Sequence, residues 1–170
     1  MGPIRDDFSR YIIAWKLCTT MKAEDVTDTL ELALQASGVA TARVVHRPRL
    51  LSDNGSSYLS ADLAKWLDDK KMSHVRGTPY HPQTQGKIER WHQTLKNRIL
   101  LENYYLPGDL EAQIGEFVAY YNHLRYHESI ANPTPAGVYF GRGQTILMER
   151  ERIKRQTIQN RRLNYRRIAA

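Results

Sequence analysis

The spacing of apolar positions changes along this chain, and each change predicts an element. Tyr11-Ile12-Ile13-Ala14-Trp15-Lys16-Leu17 is an aromatic and β-branched run that predicts a strand. From Ala23 to Ser37, Val26, Leu30, Ala33 and Leu34 recur on one helical face, acids crowd the first turn and Gly38 follows the end. Arg49 to Ser52 predicts a short strand closed by the turn signal Asp53-Asn54-Gly55. Ser60 can cap a helix from Ala61 to about Lys71 with Leu63, Trp66 and Leu67 inward. A short extended piece at His74-Val75-Arg76, a two-proline loop from Gly77 to Gln83 and a helix carrying Glu89 to about Leu101 come next. Pro107-Gly108 breaks the chain. Asp109 then caps a predicted helix to about His127, with Leu110, Ile114, Phe117, Val118 and Tyr121 at helical spacing. Asn132-Pro133-Thr134-Pro135 predicts a turn, and Gln144 to Arg167 a last helix. Strands early and helices late predict an α/β layered domain.

Charge divides the chain. The net charge is +7. Residues 142–170 hold nine Lys/Arg against two Glu, whereas residues 1–141 hold 16 of each sign. The reading is a neutral domain, 1–141, followed by a basic helical tail, 142–170, that suits a polyanion. The single cysteine, Cys18, lies in an apolar run and reads as a small buried hydrophobe. It excludes a disulfide framework and fits a reducing cytoplasm. No apolar stretch is long enough to span a bilayer, so no membrane partner is expected. The six histidines form no zinc pattern.

Asp53 and Glu89 carry the candidate chemistry. Asp53 ends a strand, and Glu89 lies on a helix that leaves a Pro/Gly-bearing loop. Two carboxylates brought together repel unless a cation lies between them. Hard divalent ions such as Mg²⁺ favour oxygen ligands and keep positions open for phosphate. Gln85, His92, Gln93 and Lys96 share Glu89's helical face, where Lys96 can reach a phosphate and Gln93 a base or sugar. Trp91 falls on the other side and is expected in the core. Asn54 and Gly55 are expected to hold a nucleic-acid backbone close to the metals, and the loop from Gly77 to Gln85 to be mobile until it binds. In the tail, Arg150, Arg152, Lys154, Arg155, Arg161 and Arg162 are candidate DNA contacts.

Ser52-Asp53-Asn54-Gly55 and His81-Pro82-Gln83-Thr84-Gln85-Gly86-Lys87-Ile88-Glu89, at this spacing, resemble the last two acids of the DDE triad of retroviral-type integrases and bacterial insertion-sequence transposases. Asp7-Phe8-Ser9-Arg10 resembles a turn near the start of that core. Tyr121-Asn122-His123-Leu124-Arg125-Tyr126-His127 and Thr134-Pro135-Ala136 resemble the C-terminal part of the transposases. The resemblance implies a ribonuclease-H-like fold. It also implies a chain lacking the first strand, most of the second and the first catalytic Asp, and so a fragment weak or inactive by itself. Asp6 and Asp7 are the only acids near the N-terminus that could complete a triad, and their place before Phe8 reads as a turn. The implied activity is DNA transposition or integration, by end nicking and strand transfer with Mg²⁺ or Mn²⁺, two ions in the intact parent. The implied partners are element ends, a target duplex and further copies of the chain on DNA, in a bacterial, nucleoid-associated setting. Two alternatives stand beside it: a non-catalytic DNA-binding remnant and a nuclease of the same fold.

Overall fold

The computed structural model describes residues 2–20, 22–39, 47–77, 82–99, 101, 104 and 106–168, without the side chains of 82–85. The order is β1 (Ile4–Arg5), β2 (Ile12–Ala14), α1 (Ala23–Ala36), β3 (Arg49–Ser52), α2 (Ala61–Asp69), β4 (Ser73–Arg76), α3 (Pro82–Ile99), α4 (Pro107–His123), α5 (Pro135–Tyr139) and α6 (Gly143–Ile168). Short 3₁₀ turns occupy Ser56–Leu59 and Glu128–Ile130. The chain forms two compact units. One holds Met1–Arg5 and Ile12–Phe117, the other Asp6–Tyr11 and Val118–Ala170.

The first unit is built on α1. Its buried stripe is the predicted one, Val26, Leu30, Ala33 and Leu34, with Thr29 added. Gly38 follows the helix with φ +71, a conformation that costs a residue without a Cβ little. Val26 and Leu30 cluster with Leu50 of β3 and with Leu63 and Leu67 of α2. Ile4, Tyr58, Trp66 and Met72 pack against this cluster. Burying leucines such as Leu63 and Leu67 contributes about 1.5–3 kcal/mol each. Ser60 caps α2 as predicted, its hydroxyl accepting from Leu63 N at 3.1 Å.

β3 and β4 are parallel neighbours, with Arg49 opposite Ser73 and Ser52 opposite Arg76. α2 makes the crossover between them, as parallel pairing requires. β1 and β2 pair antiparallel and form a separate sheet among the described residues. The strand expected over residues 11–17 is shorter, Ile12–Ala14. Its described partner β1 is only two residues long, and the ladder is irregular between Ile4 and Arg5. Cys18 is half-buried rather than buried.

In the second unit, Asp6 to Arg10 forms the expected turn. Asp6 accepts from both the amide and the hydroxyl of Ser9, which identifies Asp6 as a turn-forming carboxylate. The helix expected from an Asp109 cap to His127 instead runs Pro107–His123. Proline's fixed φ suits the first helical position, and Leu106 O accepts from Asp109 N at 3.1 Å, so Asp109 lies inside the first turn. The helix stops early because the backbone of His127 is engaged elsewhere. Its N–H donates to Pro133 O at 3.1 Å, and its carbonyl accepts from Asn132 N at 2.8 Å. Thr134 caps α5, which the sequence reading did not foresee. Tyr11 stacks on Tyr139 with ring centroids 4.5 Å apart. α6 buries no residue. Among the described residues no helix is long and apolar enough to cross a membrane.

Candidate metal centre

Asp53 stands where β3 ends, at the carboxyl edge of the parallel pair. In α/β sheets that edge is where ligands bind, because loops leave it and backbone there is free to meet them. Three hydrogen bonds fix the turn. Gly77 N donates to Ser52 O at 2.9 Å, extending the β3–β4 ladder by one rung. Asn54 Nδ2 donates to Gly77 O, also at 2.9 Å. The Ser52 hydroxyl and His74 Nε2 are 2.8 Å apart. The strand tip bearing the acid is thereby tied to the end of the strand that leads toward α3.

The Asp53 side chain is oriented locally. Its Oδ1 accepts from Gly55 N at 2.9 Å. A Cβ at Gly55 would lie 3.0 Å from that same oxygen. Glycine therefore lets amide and carboxylate meet at hydrogen-bond distance. Tyr58 packs behind the turn. Burial pushes its phenol above its ordinary range, and the Asp53 charge adds to the effect.

Glu89 lies about two turns into α3. The helix is held on its other side by Trp91 and Leu95, both buried. Trp91 is 1% exposed, as its place opposite Glu89 implies. Arg5 Nη1 donates to Lys87 O at 2.6 Å, which fastens this part of α3 to the end of β1. His92 is half-buried with its ring edge-on to Trp91, centroids 5.1 Å apart. Burial, then neighbouring positive charges including Lys96 and Arg5, hold its pKa below the ordinary value.

Asp53 and Glu89 are both solvent-exposed, and among the described residues neither forms an ion pair. Their oxygens are hard donors, the type that suits Mg²⁺ or Mn²⁺. Among the described residues no group of three acidic, His or Cys side chains gathers as a metal site, so the donor set fits a divalent ion in type and falls short in number.

The other predicted contacts fare differently. Asn54 uses its amide in the clamp to Gly77. Gln93 donates to Asn97 Oδ1 at 2.7 Å, one turn along the helix. Lys96 is exposed. Gln85 belongs to α3, but its side chain lies outside the described residues, as does most of the loop expected to be mobile. In the tail, Arg150 donates to Asn132 O at 2.8 Å and stands over the Tyr126 ring at 5.2 Å. Arg152 is paired with Glu149 and Arg155 with Glu151. Lys154, Arg161 and Arg162 are exposed. Ser52, His74, Gly77 and Tyr58 were missed as supports of the Asp53 turn. The parallel register reveals His74 and Gly77, whereas Ser52 adjoins Asp53 in its motif and Tyr58 follows in the next turn.

Two family models, each described as "Integrase core domain", match residues 1–82 and 70–135. The Pro-Pol polyprotein of feline foamy virus is 33% identical over 78 residues, which are 46% of this chain and 6% of that polyprotein. The Pol polyprotein of equine infectious anemia virus (strain Wyoming) is 38% identical over 58 residues, 34% of this chain and 5% of the polyprotein. This chain thus spans a small fraction of those relatives. Among solved structures, the simian T-cell lymphotropic virus intasome in complex with PP2A regulatory subunit B56 gamma is similar with a TM-score of 0.62 at 18% identity, over 79% of this chain and 46% of that one. The catalytic core domain of BIV integrase gives 0.54 at 24% identity, covering 78% and 80% of the two chains. The HTLV-2 integrase catalytic core in complex with magnesium, in a trimeric form, gives 0.56 at 20%, covering 79% and 80%. These likenesses establish the ribonuclease-H-like fold.

Proposed function

This chain belongs to the integrase-core family, and on that premise we propose that Asp53 and Glu89 are ligands of a divalent metal centre for phosphoryl transfer on DNA. The observation that carries the proposal is the construction of the Asp53 turn. A carboxylate at a strand's carboxyl tip is aimed by the Gly55 amide and clamped to the neighbouring strand. A merely solvated turn acid has no need of that second tie.

Within this reading Asp53 and Glu89 hold the ions, and a further carboxylate beyond this pair completes the set. Bound there, Mg²⁺ or Mn²⁺ supplies acidity to the attacking oxygen and charge neutralisation to the leaving one. Magnesium is favoured by the HTLV-2 core, whose structure is described with that ion. Gly55 and Asn54 keep the Asp53 carboxylate in place, and Trp91 and Arg5 keep α3 from turning Glu89 away. Lys96 meets a backbone phosphate. The attacking group is water in end nicking and a DNA 3′-hydroxyl in strand transfer, so no Ser or Tyr nucleophile is required. The relatives include an intasome and a trimeric core, and the chain is proposed to work as an oligomer on DNA.

One observation favours a second reading. The described residues bring no third ligand to the pair, which suits a DNA-binding remnant that does no chemistry. Incubation with labelled duplex DNA in Mg²⁺ or Mn²⁺ separates the readings. Metal-dependent nicking that Glu89→Gln abolishes supports the metal centre. Joining of ends to a second duplex separates a transferase from a nuclease. DNA binding with Mn²⁺ affinity unaltered by Asp53→Asn and by Glu89→Gln supports the remnant, because a site short of one carboxylate can hold an ion without nicking.

A further inference from the structure

The cations of α6 are not equivalent. In its first half Arg150, Arg152 and Arg155 are already engaged, and Lys154 is exposed. Arg150 reaches Asn132 O and the Tyr126 ring, and Arg152 and Arg155 form ion pairs with Glu149 and Glu151. The segment Arg161 to Arg167 holds four arginines and no acid. Beyond Arg155, no hydrogen bond or ion pair joins α6 to another element among the described residues. Ile158, Arg161, Arg162, Tyr165 and Arg166 follow one another at helical spacing on a single face and line one shallow recess. Tyr165 lies on that face, one turn from Arg161 and Arg162 and beside Arg166, and is 75% exposed. An exposed aromatic ring flanked by guanidinium groups is the combination on which a base can stack while its phosphates are neutralised. The guanidinium groups around it need anions at a spacing of one helical turn.

We propose that this distal face of α6 is the nucleic-acid surface of the tail, with Arg161, Arg162 and Arg166 on successive phosphates and Tyr165 as the platform for an unpaired base. Charge complementarity selects the occupant. A second copy of so basic a face would repel this one, and an acidic peptide would leave the ring uncovered. A strand with a base out of the duplex supplies phosphates and a π-face together. The inference rests on the reading of this chain as a DNA-acting protein, and it narrows the tail's contacts to one half of one helix.

The test uses the full chain, with an oligothymidylate and a duplex of equal length over a series of salt concentrations. Arg161→Gln, Arg162→Gln and Arg166→Gln together should flatten the duplex slope of log K against log salt by about 2.7 units, at roughly 0.9 per phosphate contact. The same change at Arg150, Arg152 and Arg155 should move it by less than about one unit. Tyr165→Ala should weaken the oligothymidylate about tenfold or more, spare the duplex, and be rescued by Tyr165→Phe. α6 buries no residue, so helicity by circular dichroism should be unchanged in the distal and Tyr165 variants and slightly lowered in the proximal one, which loses two ion pairs. Unaltered slope in the distal variant, or a larger change in the proximal one, overturns the assignment while leaving DNA binding intact. A Tyr165→Ala chain that binds both probes normally overturns the platform. Failure of the unsubstituted chain to bind either probe overturns the DNA reading of the tail itself.

Discussion

α3 and α6 are the longest helices described, 18 and 26 residues, and they use their side chains in opposite ways. α3 sinks Trp91 and Leu95 into the core and leaves Glu89 in solvent. α6 sinks nothing; it carries Ile153, Leu163, Tyr165 and Ile168 exposed among arginines and is steadied by its own i,i+3 and i,i+4 ion pairs. The difference fits the role proposed for each. A carboxylate that binds a metal must be held to within a fraction of an ångström, so its helix needs a packed back. A cation that neutralises phosphate acts through long-range charge and needs no such fixing.

Breaking each helix at its most telling side chain gives the largest contrast. Trp91→Ala should cost about 3–5 kcal/mol by urea or thermal unfolding, because it empties a filled site. Ile153→Ala should stay within about 0.5 kcal/mol, because that side chain is half in water. Equal losses at the two positions would mean that α6 is packed against a surface and that the contrast is false.

A subtler change isolates the aim of Asp53 from the stability of its turn. Gly55→Ala sets a Cβ 3.0 Å from Oδ1, so the carboxylate must shift by a few tenths of an ångström. Metal affinity should fall several-fold while the unfolding midpoint moves little. Asn54→Ala should lower both: it removes the clamp to Gly77, costs about 1 kcal/mol and loosens the turn that holds the carboxylate. Calorimetric titration and denaturation of both variants check this pair of outcomes.

Much of this was legible before the coordinates. Arg49–Ser52 has the predicted bounds because a short apolar run followed by Asp-Asn-Gly admits few alternatives. Val26, Leu30, Ala33 and Leu34, and Trp91 opposite Glu89, follow from helical period alone. What period cannot convey is pairing. The strand from Tyr11 ends at Ala14 because its partner β1 spans only Ile4–Arg5, and α4 ends at His123 because Asn132 and Pro133 engage His127. Both facts depend on residues distant in sequence. α5 was legible in principle, since Thr134-Pro135 is a cap followed by a first-turn proline. At the site, the two acids could be read from their motifs. The supports at His74 and Gly77 could not, because they act through the β3–β4 register.

The smallest expected effect concerns pH. His92, beside Trp91, is held below its ordinary pKa of 6.5 chiefly by burial. The unfolded chain therefore binds a proton more readily than the folded one over the window just below 6.5, and stability falls as pH falls through it. His92→Gln should flatten that part of the stability–pH curve. His74, lowered by burial and by Arg76, keeps a share of the slope. An unchanged slope would mean that the imidazole is solvated and that the back of α3 is looser than described.

The central claim is that Asp53 and Glu89 hold one metal site, and Mn²⁺ binding measured by electron paramagnetic resonance addresses it without requiring turnover. Titrations would compare the unsubstituted chain with Asp53→Asn, Glu89→Gln and the double variant. If the two carboxylates share a site, each single substitution lowers affinity at least about tenfold, and the double loses little more than either single, since neighbouring ligands are not additive. Mn²⁺ binding that survives both single substitutions, or single variants that each keep one undiminished site while only the double variant loses binding, as for two separate sites, would contradict the account.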